Sequence, residues 1–468
     1  MGLLLHLILS LAQASAVYFA FVTYMSPPPE LKIEENGWFG SGESRPDNLT
    51  IYPFKVNVSS DELKDLKRRL EHGRISHSHL EDSNNFWYGF NSDELEVFRQ
   101  YWLNSYDWKK HERIINGFSQ FKTEIEGIKR CQSQVHFIHQ PAASGYKKVV
   151  PLLIVHGWPG SVFEFYKLIP MLTDPKKHGI ASEIAFEVVA PSIPGFGWSE
   201  QPKRKGFGQM ACARVFRKLM ERVGFQKFYL QGGDWGSLIT SNLARLYPAQ
   251  VFGLHLNLMQ IIPGVSLKAT LLDIVGSFFP RLVFSAPRNH NHNIFGKLFD
   301  MMIVECGYWH IQATKPDTVG TALNDSPIGL AAYILEKFST WTNAGYRALP
   351  DGGLTKKFTR DELLTNVMIY WLNGNIVSSQ RFYREHVTEP REQALNRQYL
   401  AVPTAHFSAM NEFFDKTPPE VSSTLFNLTH YTAAPDVGHF AAFEMPRQVA
   451  DDVFDFVNSL EHYPQINL

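Results

Sequence analysis

Between residues 148 and 258 the chain alternates short apolar runs with longer amphipathic stretches. Val149–Val155, Ala185–Ala190, Phe228–Gln231 and Val251–Leu258 are the apolar runs. They are too short for helices and nearly continuous in apolar character, as strands buried on both faces require. Helices are predicted between them: after Ser161, near Gln209–Val223, and from Gly236 to about Tyr247-Pro248. Strand–helix alternation at this spacing specifies a mostly parallel sheet covered on both faces. The alternation stops at 261, and residues 261–394 read as helical and polar-aromatic. Strand-like runs resume near Leu400–Pro403 and His430–Thr432, and a terminal helix is expected over Pro446–Leu460. A helical insertion of that length predicts a lid over the carboxyl ends of the strands, where such sheets place their sites.

The N-terminus has a different pattern. Leu3 to Tyr24 contains no charged side chain, and at 1.5 Å per residue it would span roughly 33 Å, enough for a bilayer core. The rival reading is a cleaved signal peptide with an Ala14-Ser15-Ala16 site. A basic n-region is missing and apolar sequence continues past that site, so a transmembrane anchor over 1–25 is the expectation. Pro27-Pro28-Pro29 ends the apolar segment. Lys32 and Arg45 follow the span and no basic residue precedes it, which puts the body in the cytosol by the positive-inside rule. The sequons at Asn48, Asn57 and Asn427 matter only for a lumenal body. Residues from roughly 30 to 145 read as an irregular wrapping segment with one clear helix from Ser60 to about His72. Ser60 and Asp61 are its expected cap, and Leu63, Leu66 and Leu70 its buried stripe. The expected organisation is therefore 1–25 anchor, 46–145 wrapping segment, 146–260 first half of the core, 261–394 lid and 395–468 second half.

Composition narrows the classes of function. The 468 residues carry 45 Lys and Arg against 46 Asp and Glu, with no basic face for nucleic acid. Three cysteines without CxxC spacing argue against a disulfide framework. His77/His79 and His290/His292 lack an obvious third ligand, so no metal or cofactor is expected. The candidate chemistry sits elsewhere. Gly232-Gly233-Asp234-Trp235-Gly236 falls between a predicted strand and a predicted helix, with the small-x-nucleophile-x-small form of a nucleophile elbow. The fold class is thus α/β, with the α/β-hydrolase fold and a helical lid. Most such elbows carry Ser. A carboxylate is already ionised near neutral pH and displaces leaving groups at saturated carbon, giving an alkyl ester. That restricts substrates to strained or activated alkyl electrophiles, chiefly epoxides and alkyl halides. The plain alternative, that Asp234 only caps the next helix, is weighed down by the companion motifs.

His156-Gly157-Trp158-Pro159 follows the first core strand, where the backbone N–H of Trp158 could join that of Trp235 in an oxyanion hole. His439 comes last in the chain order nucleophile, acid, histidine and would deprotonate the water that hydrolyses the ester. Glu412, Asp415 and Glu420 all qualify as its orienting acid. An opening epoxide also needs a proton donor, and Tyr308, Tyr333, Tyr346, Tyr370 and Tyr383 are lid candidates.

On these residues the chain resembles the microsomal epoxide hydrolases, a group that includes the juvenile hormone epoxide hydrolases. The match is carried by His156-Gly157-Trp158-Pro159-Gly160-Ser161, Gly232 to Ser237, Gly307-Tyr308-Trp309-His310-Ile311-Gln312, Arg381-Phe382-Tyr383 and Gly438-His439-Phe440. Thr314–Gly320 and Tyr333–Trp341 also fit. The resemblance implies Asp234 as nucleophile, His439 as base, Tyr308 and Tyr383 as epoxide-oxygen proton donors and Glu412, in preference to Asp415, as orienting acid. It also implies endoplasmic-reticulum anchoring with a cytosolic catalytic body acting on lipophilic epoxides and water. A haloalkane dehalogenase and a non-catalytic hydrolase-fold scaffold are the rival readings. The physiological epoxide and the oligomeric state stay open.

Overall fold

The structure is a computed structural model that describes residues 34–75, 77–128, 134–259, 261–414 and 417–462. The expected anchor over 1–25 lies outside the described residues, as does Asp415. Among the described residues no helix is long and apolar enough to cross a membrane.

One nine-stranded sheet organises the chain, in the order β1-β2-β3-β5-β4-β6-β7-β8-β9. Its parallel part contains β4 (Lys148–Val155), β5 (Ile184–Pro191), β6 (Phe228–Gly232), β7 (Val251–Leu256), β8 (Leu400–Ala409) and β9 (Phe426–Ala434). The first four coincide with the apolar runs. β5, β6 and the second half of β4 are almost wholly buried, because helices Gln209–Arg222, Trp235–Leu246 and Pro446–His462 cover the faces. β8 and β9 run well beyond the segments expected from sequence. β8 continues through His406 and Ser408, polar residues that are buried here.

The N-terminal segment departs from the irregular wrap expected of it. β1 (Tyr52–Phe54), β2 (Gln120–Thr123) and β3 (Val135–Gln140) extend the same sheet, and β3 pairs antiparallel with β5. Helices Ser92–Asn104 and Trp108–Ile115 accompany the expected Ser60–His72. That helix is capped by Ser59, in a reciprocal box with Glu62, and not by Ser60 or Asp61. Leu66 and Leu70 are buried, while Leu63 is half-buried.

Between β7 and β8, helices run from Leu267 to Asn396. Two long ones, Arg360–Asn373 and Ile376–Thr388, bring buried residues down onto the turns after β4 and β5. The Asn366 side chain donates to the Pro159 carbonyl at 2.8 Å, and the Ser378 hydroxyl to the Gly195 carbonyl at 2.6 Å.

Candidate active site

β4 and β6 are neighbours, with Val155 opposite Gly232, so the turns that leave them lie side by side. At the second turn Asp234 takes φ 48° and ψ −127°, a conformation that is strained for a residue with a Cβ. Close backbone approach maintains it. A Cβ on Gly236 would stand 1.9 Å from the Val155 carbonyl oxygen, and one on Gly157 2.1 Å from Asp234 Oδ1. Only hydrogen fits at those places. The bend aims the Asp234 carboxylate over the sheet, where the Trp158 N–H donates to Oδ1 at 2.7 Å and the Trp235 amide also acts on it.

β8 and β9 end together, Ala409 opposite Ala434. Glu412 and His439 follow within a few residues and meet: His439 Nδ1 lies 2.7 Å from Glu412 Oε2. His439 Nε2 stands 3.6 Å from Asp234 Oδ2. Glu412 is fully buried, and its other oxygen accepts the Phe414 N–H at 2.9 Å. Glu420 is engaged elsewhere, accepting from the Ser285 N–H and hydroxyl. Asp436 faces solvent beside Lys357.

Burial raises the Asp234 carboxyl above its ordinary range, and the Glu412 charge adds to this; His439 and the two tryptophan amides pull it down. For His439, burial lowers the imidazole, but Glu412 outweighs it, with help from Asp234 and Glu164, and holds it at about 9. Near neutral pH His439 therefore rests as the imidazolium.

Tyr308 and Tyr383 close the site from the lid, their rings 5.9 Å apart. Tyr308 stacks on Trp158 at 5.3 Å, and Tyr383 sits edge-on to Trp235 at 4.7 Å. Each ring therefore rests on a residue whose amide serves Asp234. Burial first, and charges including that of Asp234, raise both phenols well above their ordinary value, so both keep their protons. The Tyr383 hydroxyl is buried without a hydrogen-bond partner. Other lid tyrosines are committed: Tyr370 donates to the Gly160 carbonyl and Tyr333 to Gln312. Below Tyr308, Lys337 pairs with Glu305 at 2.8 Å and lies 5.1 Å from the tyrosine ring.

Two acids were not foreseen. Glu164 joins Asp234, His439, Gly157 and Phe440 around a small cavity of about 20 Å³, room for about one water. Burial, then the charges of Asp234 and Glu444, push Glu164 up to about 8 against the pull of His439. Glu444 accepts the N–H groups of Gly438 and Phe440, on either side of His439, at 2.8 and 2.9 Å. Burial pushes it to about 8 as well. A lone acid inside an apolar run, Val162-Phe163-Glu164-Phe165 and Ala441-Ala442-Phe443-Glu444, was the available signal, since such acids are rarely buried without a partner.

Known proteins resemble this chain over most of its length. Residues 51–165 match the family described as Epoxide hydrolase N terminus, and residues 150–444 match the alpha/beta hydrolase fold. The chain is 46% identical to Epoxide hydrolase 1 of Sus scrofa, over 97% of its own length and 99% of the relative's. It is 40% identical to Juvenile hormone epoxide hydrolase 1 of Ctenocephalides felis, over 96% and 94%. The crystal structure of juvenile hormone epoxide hydrolase from the silkworm Bombyx mori superposes with a TM-score of 0.83 at 37% identity, covering 92% of this chain and 99% of that one. Aspergillus niger epoxide hydrolase gives 0.69 at 28% identity, covering 90% and 98%.

Proposed function

The chain belongs to the epoxide hydrolase family and is an epoxide hydrolase; from that premise we propose that it works through a covalent alkyl ester on Asp234. Oδ1 is held by the Trp158 amide, so Oδ2 is the attacking oxygen. It bonds to an epoxide carbon as that carbon's bond to the ring oxygen breaks. The ring oxygen takes a proton from Tyr308 or Tyr383, which therefore must stay protonated until that moment.

Ester formation removes the Asp234 charge, one of the charges that keep His439 protonated. His439 then loses its proton more readily, restoring the one the tyrosine gave up, and becomes competent as a base. Water in the cavity beside Glu164 gives a proton to Nε2 and attacks the ester carbon. The resulting oxyanion at Oδ1 stays on the Trp158 and Trp235 N–H groups. Collapse breaks the bond from that carbon to the alkyl oxygen, which takes the proton of the new carboxyl group, so that the diol leaves and Asp234 returns to carboxylate. Glu164, itself protonated near neutral pH, orients the water.

The same reading places the enzyme on the endoplasmic-reticulum membrane through residues 1–25. The catalytic body is in the cytosol, residues 46–145 support the core, and residues 261–394 form the lid. Lipophilic epoxides partition into that bilayer beside the site. The dehalogenase alternative is set aside, because relatives 40–46% identical over nearly the whole chain are named epoxide hydrolases.

One observation carries the mechanism. A carboxylate sits at a strained bend with a backbone N–H 2.7 Å from one oxygen and an imidazole 3.6 Å from the other. The test is a single turnover in heavy-oxygen water. The first diol should carry an unlabelled oxygen from Asp234, with solvent label entering only in later turnovers. Full labelling of the first diol would mean direct attack by water.

A further inference from the structure

The lid turns an apolar face outward. In the helix Leu267–Phe278, the exposed side chains are Leu267, Lys268, Leu271, Ile274, Val275 and Phe278, while Ala269, Asp273 and Gly276 point inward. Apart from Lys268 this is an amphipathic helix with its greasy stripe on the wrong side for a water-facing surface. The neighbouring helices continue it. Leu282 is 81% exposed and Ile303 70%, and the Phe278 and Phe295 rings meet at 5.8 Å. Among the described residues, most exposed large apolar side chains lie between 262 and 311. An apolar area of this extent marks a contact surface.

The charges around it are mainly basic, although Glu420 reaches in to Ser285. Lys268, Arg281 and Arg288 are exposed and Lys297 is half-buried. Of the acids between 267 and 304, Asp273 is buried beside His292 at 3.0 Å, leaving only Asp300 outside. A second copy meeting the same face across a two-fold axis would set these bases against one another. Anionic headgroups above an apolar layer satisfy both features together. The face also adjoins the site. Its last turn, Asp300–Glu305, leads directly into the helix Gly307–Thr314 that carries Tyr308.

We propose that residues 267–304 form a lipid-facing surface that sinks into the headgroup–acyl boundary of an anionic bilayer, setting the lid on the membrane. This rests on the reading above that the enzyme is membrane-bound and acts on lipophilic epoxides. It adds a second contact, independent of residues 1–25.

The test uses the full chain with Cys131→Ser and one environment-sensitive fluorophore, attached through Leu282→Cys, Ile303→Cys or, as control on the N-terminal segment, Tyr88→Cys. Vesicles contain phosphatidylcholine with or without phosphatidylserine, and lipids carrying a spin-label quencher. Labels at 282 and 303 should shift to the blue and be quenched several-fold more than the label at 88, most strongly with phosphatidylserine. Phe278→Glu with Leu282→Glu should abolish quenching at 303 while the protein still floats with vesicles and still turns over a water-soluble epoxide. A chain that floats while all three labels remain in water would overturn the surface and leave the anchor standing. Failure to float would count against both. A blue shift without vesicles would assign the face to protein: a second copy if it grows with concentration, residues 3–24 if it does not.

Discussion

Replacing Glu412 by Gln keeps the side-chain volume and removes the charge that does most to hold His439 protonated. Its ordinary value of 6.5 is raised to about 9 despite full burial, and at 1.36 kcal/mol per unit the net preference for imidazolium is about 3 kcal/mol. Without the Glu412 charge, burial is opposed only by Asp234 and Glu164, and His439 falls from about 9. Ester formation does not call on His439 as a base, so it continues. Ester hydrolysis must build positive charge on His439 in its transition state, and it should slow by roughly 10²–10⁴-fold, the range of a lost general base. Rapid-quench mass spectrometry of Glu412→Gln should find nearly all the enzyme carrying substrate on Asp234, where wild type carries little. The pH dependence has a definite sign. Hydrolysis needs neutral His439, so its rate in wild type should rise with pH, with an inflection below about 9 because the ester has removed the Asp234 charge. In the variant that inflection should move further down. Unchanged hydrolysis, or an inflection that moves up, would refute the assignment of Glu412 as the charge behind His439.

Tyr308→Phe and Tyr383→Phe should each slow ester formation by roughly a hundredfold or more while leaving ester hydrolysis unchanged; equal slowing of both half-reactions, seen in single-turnover traces, would point to general damage. Glu164→Leu should slow only hydrolysis and Glu164→Gln should restore part of it, because the amide keeps a donor and nearly the same volume; loss of ester formation in either would remove the water-orienting role. Gly236→Ala places a methyl group against the Val155 carbonyl, 1.9 Å away, and should cost roughly 1–3 kcal/mol of stability together with activity; an unchanged melting temperature would contradict the close approach.

Local chemistry made the nucleophile turn readable from sequence. Gly232, Asp234 and Gly236 form a pattern complete within five residues, and the strands beside it are plain apolar runs. The orienting acid was readable only as a short set, because Glu412 and Glu420 follow the same strand and differ solely in which way the chain carries them. Glu412 turns under His439, whereas Glu420 reaches Ser285. The strands of the N-terminal segment escaped notice for another reason. Tyr52–Phe54 and Gln120–Thr123 have three and four residues, too few to show a period. Their pairing spans dozens of residues of sequence. The helix Ser92–Asn104 did leave a trace, an Asn91 cap with Leu95, Phe98 and Trp102 on one side, which its interleaved charges obscured.

The hydrogen bonds between β3 and β5 decide where this enzyme can be cut. β3 covers the flank of β5 from Val188 to Pro191. A fragment beginning at 146 would keep every catalytic group yet leave that flank as an open row of donors and acceptors on a strongly apolar strand, an adhesive border of the kind that recruits other chains. Expression trials starting there should yield aggregates. Supplying residues 34–145 as a separate polypeptide is the rescue to attempt, since what the fragment lacks is a neighbour and not a catalytic group.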